Sequence, residues 1–313
     1  MSEPIILAPG GAGHAANGVR RRLAEMPPHA IAEVARDHLG RPGIIPLWFG
    51  ESDLATPDFI QRAAAEAMGR GETRYTFNRG VPELRQAIAE HVSGLYARPI
   101  GAERVSITVG GMSAIMIAMQ LLLEPGDNAL IVTPLWPNVF SCVTTMAAEA
   151  RCTVLTMREG AFRLDLDRLM ASANSRTRVV FLNSPGNSTG WMMGRAEQEA
   201  LLAFCRARGI WIVADEVYNR LVYDRAVAPS FLEIAEPEDR VISINTFSKS
   251  WAMTGWRMGW AVTPASVGEL FGELVQFNTS GVATFVQHAG IAAIRDGEPF
   301  VRQMVEYCRR GRD

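Results

Sequence analysis

The sequence predicts an α/β fold in which a mostly parallel β-sheet lies between layers of helices. Apolar, β-branched runs that are typical of buried strands alternate with longer amphipathic runs that are typical of helices. This alternation indicates parallel strands joined by helical crossovers. The strand runs that lead into candidate site residues are 105–109, 128–133, 178–182, 209–214 and 241–244. With 313 residues, of which 48% are hydrophobic, the chain is long enough to bury such a core.

Composition argues against several classes of partner. The net charge is −2 and the basic residues are spread along the chain, which argues against nucleic acid. No apolar run approaches the roughly 20 residues of a membrane span, and the first residues lack the pattern of a secretory signal. The four cysteines do not have the spacing of metal ligands, so we expect reduced thiols in a cytoplasmic protein.

The first 18 residues are rich in glycine and alanine, and we predict a flexible extension there. Residues 11–16 superficially match a dinucleotide-binding fingerprint. Such a site also needs a strand before it, a helix after it and an acidic residue further on, and this context is poor here.

The elements before the first strand run are mainly helical. A short helix is predicted over 29–40, and an extended apolar segment over 44–50 ends at Gly50. An amphipathic, alanine-rich helix over 57–69 then leads into a loop that contains Tyr75. These predicted elements precede the first strand run, at 105–109.

The first candidate site motif is a glycine turn. Residues 110–113, Gly-Gly-Met-Ser, join the strand run at 105–109 to a predicted helix over 114–123. The free N–H groups and the positive dipole end of a helix N-terminus make an anion site. Glycine matters because a Cβ would keep a phosphate away from the backbone.

Aromatic and polar residues follow the next three strand runs. Trp136 comes soon after the second run, where an aromatic side chain can stack on a flat ring. Asn187 follows the third run. Asp215 follows the fourth, and a carboxylate that emerges from a buried strand needs a cationic partner. The carboxyl ends of parallel strands share one edge of a sheet, so we expect one pocket to collect these residues.

A lysine follows the last strand run. Lys249 would be costly to place at the end of a buried strand unless its amine is used there. Ser248 and Arg257 are groups that hold a phosphate, by a hydroxyl donor and by a guanidinium fork. A lysine amine beside groups that bind a phosphate suggests that the lysine forms an imine with a phosphorylated aldehyde. A solvated loop lysine is the alternative for this motif taken alone.

Together these motifs resemble those of the fold-type I, pyridoxal-phosphate-dependent aminotransferases of class I and II, the aspartate/aromatic group. The run Thr-Phe-Ser-Lys at 246–249, followed by Met-Thr-Gly-Trp-Arg at 253–257, is similar to the family's lysine signature. Residues 183–190 resemble its Asn-x-Pro-x-Asn-Pro-Thr-Gly motif, and Asp-Glu-Val-Tyr at 215–218 resembles its Asp-Glu-x-Tyr motif. The matches keep the family's order over about residues 20–263.

The resemblance implies a fold, a cofactor and an activity. The fold would be a three-layer sandwich around a mostly parallel seven-stranded sheet, in a homodimer with shared active sites. Pyridoxal 5′-phosphate would be the cofactor, with amino acids and 2-oxo acids as substrates. Lys249 would hold the cofactor as a Schiff base and move the substrate proton, and Asp215 and Tyr218 would complete the catalytic set.

The resemblance also implies roles for the other residues. The phosphate would be held by Gly111, Met112, Ser113, Thr246, Ser248, Arg257 and a partner's Tyr75. The rest of the cofactor would contact Trp136, Asn187, Asp215 and Tyr218. The substrate would contact Gly50, Trp136 and Asn187.

The family comparison further implies domain limits. They are an extension over 1–18, an arm that belongs to the small domain over 19–49, a large cofactor-binding domain over 50–280, and the start of the C-terminal small domain over 281–313. In the family, the rest of that domain carries the arginine that binds the substrate α-carboxylate. None of the last arginines here matches its motif, so we expect an incomplete small domain. The alternatives are a β-lyase or decarboxylase on the same fold, or a truncated cofactor-binding protein without transaminase activity.

Overall fold

The computed structural model describes residues 5–7, 13–27 and 30–313, and it confirms the predicted α/β architecture. The strands within these ranges are β1 Ile5–Leu7, β2 Val105–Thr108, β3 Asn128–Thr133, β4 Glu149–Val154, β5 Thr156–Arg158, β6 Ala161–Arg163, β7 Thr177–Asn183, β8 Trp211–Asp215, β9 Val241–Thr246 and β10 Gly259–Val262.

Helices connect most of these strands. They are α1 Arg21–Ala24, α2 Ala30–His38, α3 Asp58–Gly69, α4 Pro82–Tyr96, α5 Gly110–Leu122, α6 Asn138–Thr145, α7 Leu166–Ala171, α8 Arg195–Arg208, α9 Phe247–Ser250, α10 Ala265–Thr279, α11 Thr284–Asp296 and α12 Glu298–Arg312. None of the helices in the described ranges is both long and apolar enough to cross a membrane.

The main sheet has the order β1-β4-β3-β7-β8-β9-β10-β2. Neighbours from β4 to β9 are parallel, whereas β10 is antiparallel to both β9 and β2. The seven strands from β4 to β2 form the predicted mostly parallel sheet. Strands β5 and β6 pair separately as a small antiparallel sheet.

Strand β1 differs from the predicted flexible extension. Ile5 pairs with Cys152 and Leu7 with Ala150, so β1 adds an antiparallel edge strand next to β4. Three apolar residues in succession can complete the backbone hydrogen bonds that the edge of a sheet leaves open. Residues 1–4 and 8–12 of the predicted extension lie outside the described residues, and so does the start of the fingerprint-like motif at residue 11.

Helices cover both faces of the sheet because successive strand side chains point to opposite faces. Val180 and Ile212 belong to a core that also contains residues of α7 and α8. Their chain neighbours Phe181 and Val213 belong to a core formed with α5 and α6. This arrangement confirms the three-layer architecture.

A further core packs the antiparallel end of the sheet against α3, α4 and α11. It contains Ile60, Leu84, Ile107, Trp260 and Ala289, all of which are buried. Helix α11 therefore lies against helices that precede the sheet in the chain. The domain limits given above stay predictions.

Candidate active site

The predicted site residues follow strands that end at one edge of the sheet. The parallel strands β3, β7, β8 and β9 have their carboxyl ends on the same side. Pairing places Asn183 at the end of β7 opposite Asp215 at the end of β8. It also places Thr246 at the end of β9 opposite Gly259 of β10. The side chains that follow these ends can therefore meet.

The glycine turn forms the start of α5, which begins at Gly110 instead of at the predicted position 114. Gly111, Met112 and Ser113 consequently lie in its first turn, where backbone N–H groups have no partner within the helix. The N-cap residue, Val109, has no side-chain hydrogen bond to this end. Such an uncapped N-terminus is suited to bind an anion.

Arg257 lies against this helix end. Gly110 has a φ of +77°, which favours glycine, and a Cβ there would lie 2.7 Å from Arg257 Nη2. The Arg257 side chain is directed by a hydrogen bond in which Nη1 donates to the Thr254 carbonyl oxygen at 2.5 Å. A guanidinium group and the free N–H groups of α5 thus share one location.

Hydroxyl groups fix the backbone on which Lys249 is carried. Thr246 caps the short helix α9, because its Oγ1 accepts a hydrogen bond from the Ser248 N–H at 3.2 Å. The hydroxyl groups of Thr246 and Ser248 are buried and lie 3.0 Å apart. This cap holds the lysine at the sheet edge.

The Lys249 side chain reaches across the site. Its Nζ donates a hydrogen bond to the Gly50 carbonyl oxygen and lies 5.4 Å from the centre of the Tyr218 ring. Burial lowers the pKa of Lys249 below its ordinary value of 10.5, and the positive charge of Arg257 adds to this effect. Asp215 and Glu51 oppose it. The amine is therefore more easily deprotonated than that of a free lysine.

Asp215 ends β8 as a buried carboxyl group with 6% of its surface exposed. Its Oδ1 accepts a long hydrogen bond from the Val217 N–H at 3.4 Å. Burial raises the pKa of Asp215 to about 7, and the N–H bond and the charge of Lys249 only partly offset this. A cationic group beside it would restore the ionised form.

Asn187 and Tyr218 form a hydrogen-bonded pair. Asn187 Nδ2 donates to Tyr218 Oη at 3.3 Å, and the Asn187 N–H donates to Asn183 Oδ1 at 2.7 Å. Burial raises the pKa of Tyr218 to about 12, and the neighbouring Asp215 acts in the same direction. Tyr218 is therefore a neutral hydrogen-bond donor at physiological pH.

Of the remaining predicted residues, Gly50 borders this group, Trp136 lies in the loop after β3, and Tyr75 is exposed. Trp136 is half-buried in the loop after β3, and Asn138 of the next helix reaches Met112 Sδ at 3.7 Å. A Cβ on Gly50 would lie 3.2 Å from Tyr218 Oη and 3.4 Å from Lys249 Nζ. Tyr75 lies on the loop between α3 and α4 and is 97% exposed.

Sequence reasoning missed Gly259 and Val217. A Cβ on Gly259 would lie 2.9 Å from the backbone of Gly110 and Gly111. A Cβ on Gly111 would lie 3.3 Å from Val217 Cγ1, so Val217 also borders the helix start. A glycine that begins an apolar strand was the available signal, since it often marks a close approach of another backbone.

These groups fit pyridoxal phosphate. The cofactor combines an aldehyde, a pyridine nitrogen, a phenolic oxygen and a phosphate. The structure offers an amine of lowered pKa in Lys249 and a buried carboxyl group of raised pKa in Asp215. It also offers the Asn187–Tyr218 pair and the uncapped start of α5 beside Arg257.

Comparison with known proteins decides the family. The family model described as "Aminotransferase class I and II" matches residues 42–313. The chain belongs to this family. It is a pyridoxal-phosphate-dependent aminotransferase, which moves an amino group between an amino acid and a 2-oxo acid.

Several relatives of this aminotransferase are named enzymes. It is 32% identical to an aspartate aminotransferase of Thermotoga maritima, over 91% of this chain and 76% of the relative. It is 35% identical to an arginine–pyruvate transaminase of Pseudomonas aeruginosa, over 86% of this chain and 68% of the relative. The structure of a Thermus thermophilus aspartate aminotransferase double mutant superposes with a TM-score of 0.87 at 31% identity, covering 94% of this chain and 78% of that one.

Proposed function

We propose that Lys249 is the amine that bonds to the aldehyde of pyridoxal phosphate and that later moves the proton at the substrate α-carbon. The observation that carries this assignment is that Lys249 is the only lysine among the 313 residues. Its lowered pKa supports both roles, because the neutral amine is the nucleophile and the base. When bound, the cofactor supplies the aldehyde and a ring that accepts electrons from the α-carbon.

Asp215 is assigned to the ring nitrogen of the cofactor. Its buried carboxyl group has a pKa raised to about 7 and would be stabilised as an anion by a protonated nitrogen. Tyr218 and Asn187 are assigned to the phenolic oxygen, which their shared hydrogen bond supports. Trp136 is assigned to a face of the ring, because it is a half-buried aromatic side chain in the loop that follows the carboxyl end of β3.

The phosphate is assigned to the start of α5. Gly111 and Met112 would donate backbone N–H groups, and Ser113 would add its hydroxyl group. The hydroxyl groups of Thr246 and Ser248 and the guanidinium group of Arg257 complete this set. Arg257 supports the assignment most directly, since it lies against Gly110.

The substrates are assigned to the Gly50 side of Lys249. Gly50 leaves room near both Tyr218 Oη and Lys249 Nζ, where a substrate α-carbon has to lie for proton transfer. Asn187 and Trp136 would contact the substrate from the loops that follow β7 and β3. The named relatives are aminotransferases, which favours transamination over the β-lyase and decarboxylase alternatives.

We further propose a cytoplasmic homodimer with shared active sites. The exposure of Tyr75, at 97%, supports a contact outside its own chain, and its hydroxyl group would reach the cofactor phosphate of the partner subunit. All four cysteines are free thiols, which is typical of a reducing compartment.

The single lysine makes a direct test of this assignment feasible. The chain would be mixed with pyridoxal phosphate, reduced with borohydride, digested and examined by mass spectrometry. We expect the pyridoxyl group on Lys249, and none in a Lys249→Arg variant, which keeps the charge but lacks a neutral amine. Without reduction, adding an amino-acid mixture should bleach the visible band of the bound cofactor.

Two outcomes would contradict the proposal. Labelling confined to the N-terminal amine would show that Lys249 is not the attachment point. A visible band that Lys249 forms but that no amino acid bleaches would support a cofactor-binding protein without transaminase activity.

A further inference from the structure

The loop that presents Tyr75 is held firmly although Tyr75 itself is exposed. The loop connects α3 to α4, and both Tyr75 and Phe77 are largely exposed on it. The residues on either side of Tyr75 are tied to α11. Thr284 Oγ1 donates to the Arg74 carbonyl oxygen at 3.3 Å, and Gln287 Nε2 donates to Thr76 Oγ1 at 3.2 Å.

Gln287 is the centre of this attachment. It is fully buried, with 0% of its surface exposed. Its Oε1 accepts a hydrogen bond from the Val81 N–H at 2.7 Å. Its Nε2 also donates to the Val282 carbonyl oxygen, just before the start of α11, at 2.7 Å. One amide thus joins both the middle and the end of the loop to the start of α11. Burying an amide is favourable only when its partners stay in place.

The loop also packs closely around the Gln287 amide. Gly80 has a φ of +93°, and a Cβ there would lie 2.9 Å from Gln287 Oε1 and would overlap the side chain of Ile107. A Cβ on Gly281 would lie 3.1 Å from Thr76 Cγ2. The loop backbone therefore has little room to shift relative to α11 and β2.

We propose that Gln287 is a positioning residue for Tyr75, and that it orders the loop so that the tyrosine of one subunit binds the cofactor phosphate of its partner. This inference rests on the shared active sites proposed above. An exposed side chain that must reach a separate subunit binds more tightly when its backbone is ordered beforehand, because less conformational entropy is lost. Gln287 supplies that order without touching the cofactor.

Mixed dimers test the inference because the chain has a single lysine. One subunit would carry Tyr75→Phe and keep Lys249, and the other would carry Lys249→Ala and keep Tyr75. Only one site then has both groups, and only that site can be labelled by pyridoxal phosphate and borohydride. The readout is the cofactor concentration that gives half-maximal labelling.

Gln287→Met removes the amide at similar volume. Placed in the Lys249→Ala subunit, whose Tyr75 serves the complete site, it should raise the half-maximal cofactor concentration about tenfold, or ~1.4 kcal/mol. Placed in the Tyr75→Phe subunit it should leave that concentration unchanged. Gln198→Met is the matched control, because Gln198 is a buried glutamine of α8 that bonds to the Pro229 carbonyl oxygen, away from this loop.

Two results would overturn the inference, and they differ in meaning. If Gln287→Met acts equally from either subunit, or no more than Gln198→Met does, Gln287 has only a local structural role and the shared site stands. If the mixed dimer binds cofactor no better than a dimer in which both subunits carry Tyr75→Phe, Tyr75 does not act across the interface. The shared site then falls together with the inference.

Discussion

At the residue scale, one cause shifts the pKa of Asp215 and Lys249 in opposite directions. Burial disfavours the charged form of either group, so it raises the pKa of Asp215 and lowers that of Lys249. Their mutual attraction opposes both shifts without cancelling them. The site is therefore prepared for an ionic partner at Asp215 and for a neutral amine at Lys249.

Asp215 should make the cofactor-free chain less stable as pH rises. Its folded pKa of about 7 exceeds its ordinary value of 3.8, so the folded state holds the proton more tightly. The resulting stability is present below 3.8 and is lost as pH rises through about 7. Asp215→Asn should thus raise the free energy of unfolding at pH 8 by on the order of 2–4 kcal/mol and by less at pH 5, as measured by urea unfolding.

The same variant should bind pyridoxal phosphate more weakly, because its amide cannot pair with a protonated ring nitrogen. Glu216→Gln is the matched control. Glu216 is equally buried, but its carboxyl group accepts hydrogen bonds from Ser230 and Ser243. Equal losses of cofactor affinity in the two variants would argue against the role of Asp215.

At the element scale, the proposed phosphate site depends on how closely α5 approaches the sheet. The start of α5 contacts β10 at Gly259, and Arg257 shortly precedes that strand. The approach is between backbones, so a side chain cannot move aside to relieve it. The geometry of the anion site is therefore set by the packing of a helix on a strand.

Gly259→Ala should displace the start of α5. The new Cβ would lie 2.7 Å from the Asn245 carbonyl oxygen and 2.9 Å from the backbone of Gly110 and Gly111. We expect a loss of about 1–3 kcal/mol in the free energy of unfolding, together with weaker binding of pyridoxal phosphate, measured by titration. Gly94→Ala is the control, because a Cβ on Gly94 of α4 would meet no other atom within 4 Å. This variant should stabilise the helix by about 0.5–1 kcal/mol without changing cofactor affinity. Unchanged cofactor affinity in Gly259→Ala would show that this contact does not shape the site.

At the scale of the whole molecule, cofactor binding and association of subunits are expected to be linked. If Tyr75 of one subunit serves the site of the other, the dimer binds pyridoxal phosphate more tightly than the monomer does. By mass action, the cofactor must then favour the dimer to the same extent.

Dilution should reveal this linkage. As the protein concentration falls below the dissociation constant of the dimer, the apparent cofactor affinity should weaken, and analytical ultracentrifugation should show dimers reforming when cofactor is added. In Tyr75→Phe the dependence on protein concentration should largely disappear. A cofactor affinity that stays constant while the dimer dissociates would contradict shared sites.

Much of the fold and of the candidate site could be predicted from the sequence, because the patterns that indicate them are local. Asp215 ends an apolar strand, Lys249 follows one, and a pair of glycines begins α5, so residue type and spacing were enough to single them out. The pairing of Ile5–Leu7 with β4 could not be predicted from the sequence. Three apolar residues have no local sign of which distant edge they complete.

The sequence by itself determined the chemistry available to this protein: its one lysine, a carboxylate at a strand end, a glycine turn and the order of the family motifs. Only the tertiary structure decided which distant groups come into contact and how far each group is buried from solvent. Gly259 against α5, Gln287 behind the Tyr75 loop, and the pKa shifts of Asp215 and Lys249 all belong to this second class. They depend on long-range packing and on desolvation, which no local pattern of residues encodes.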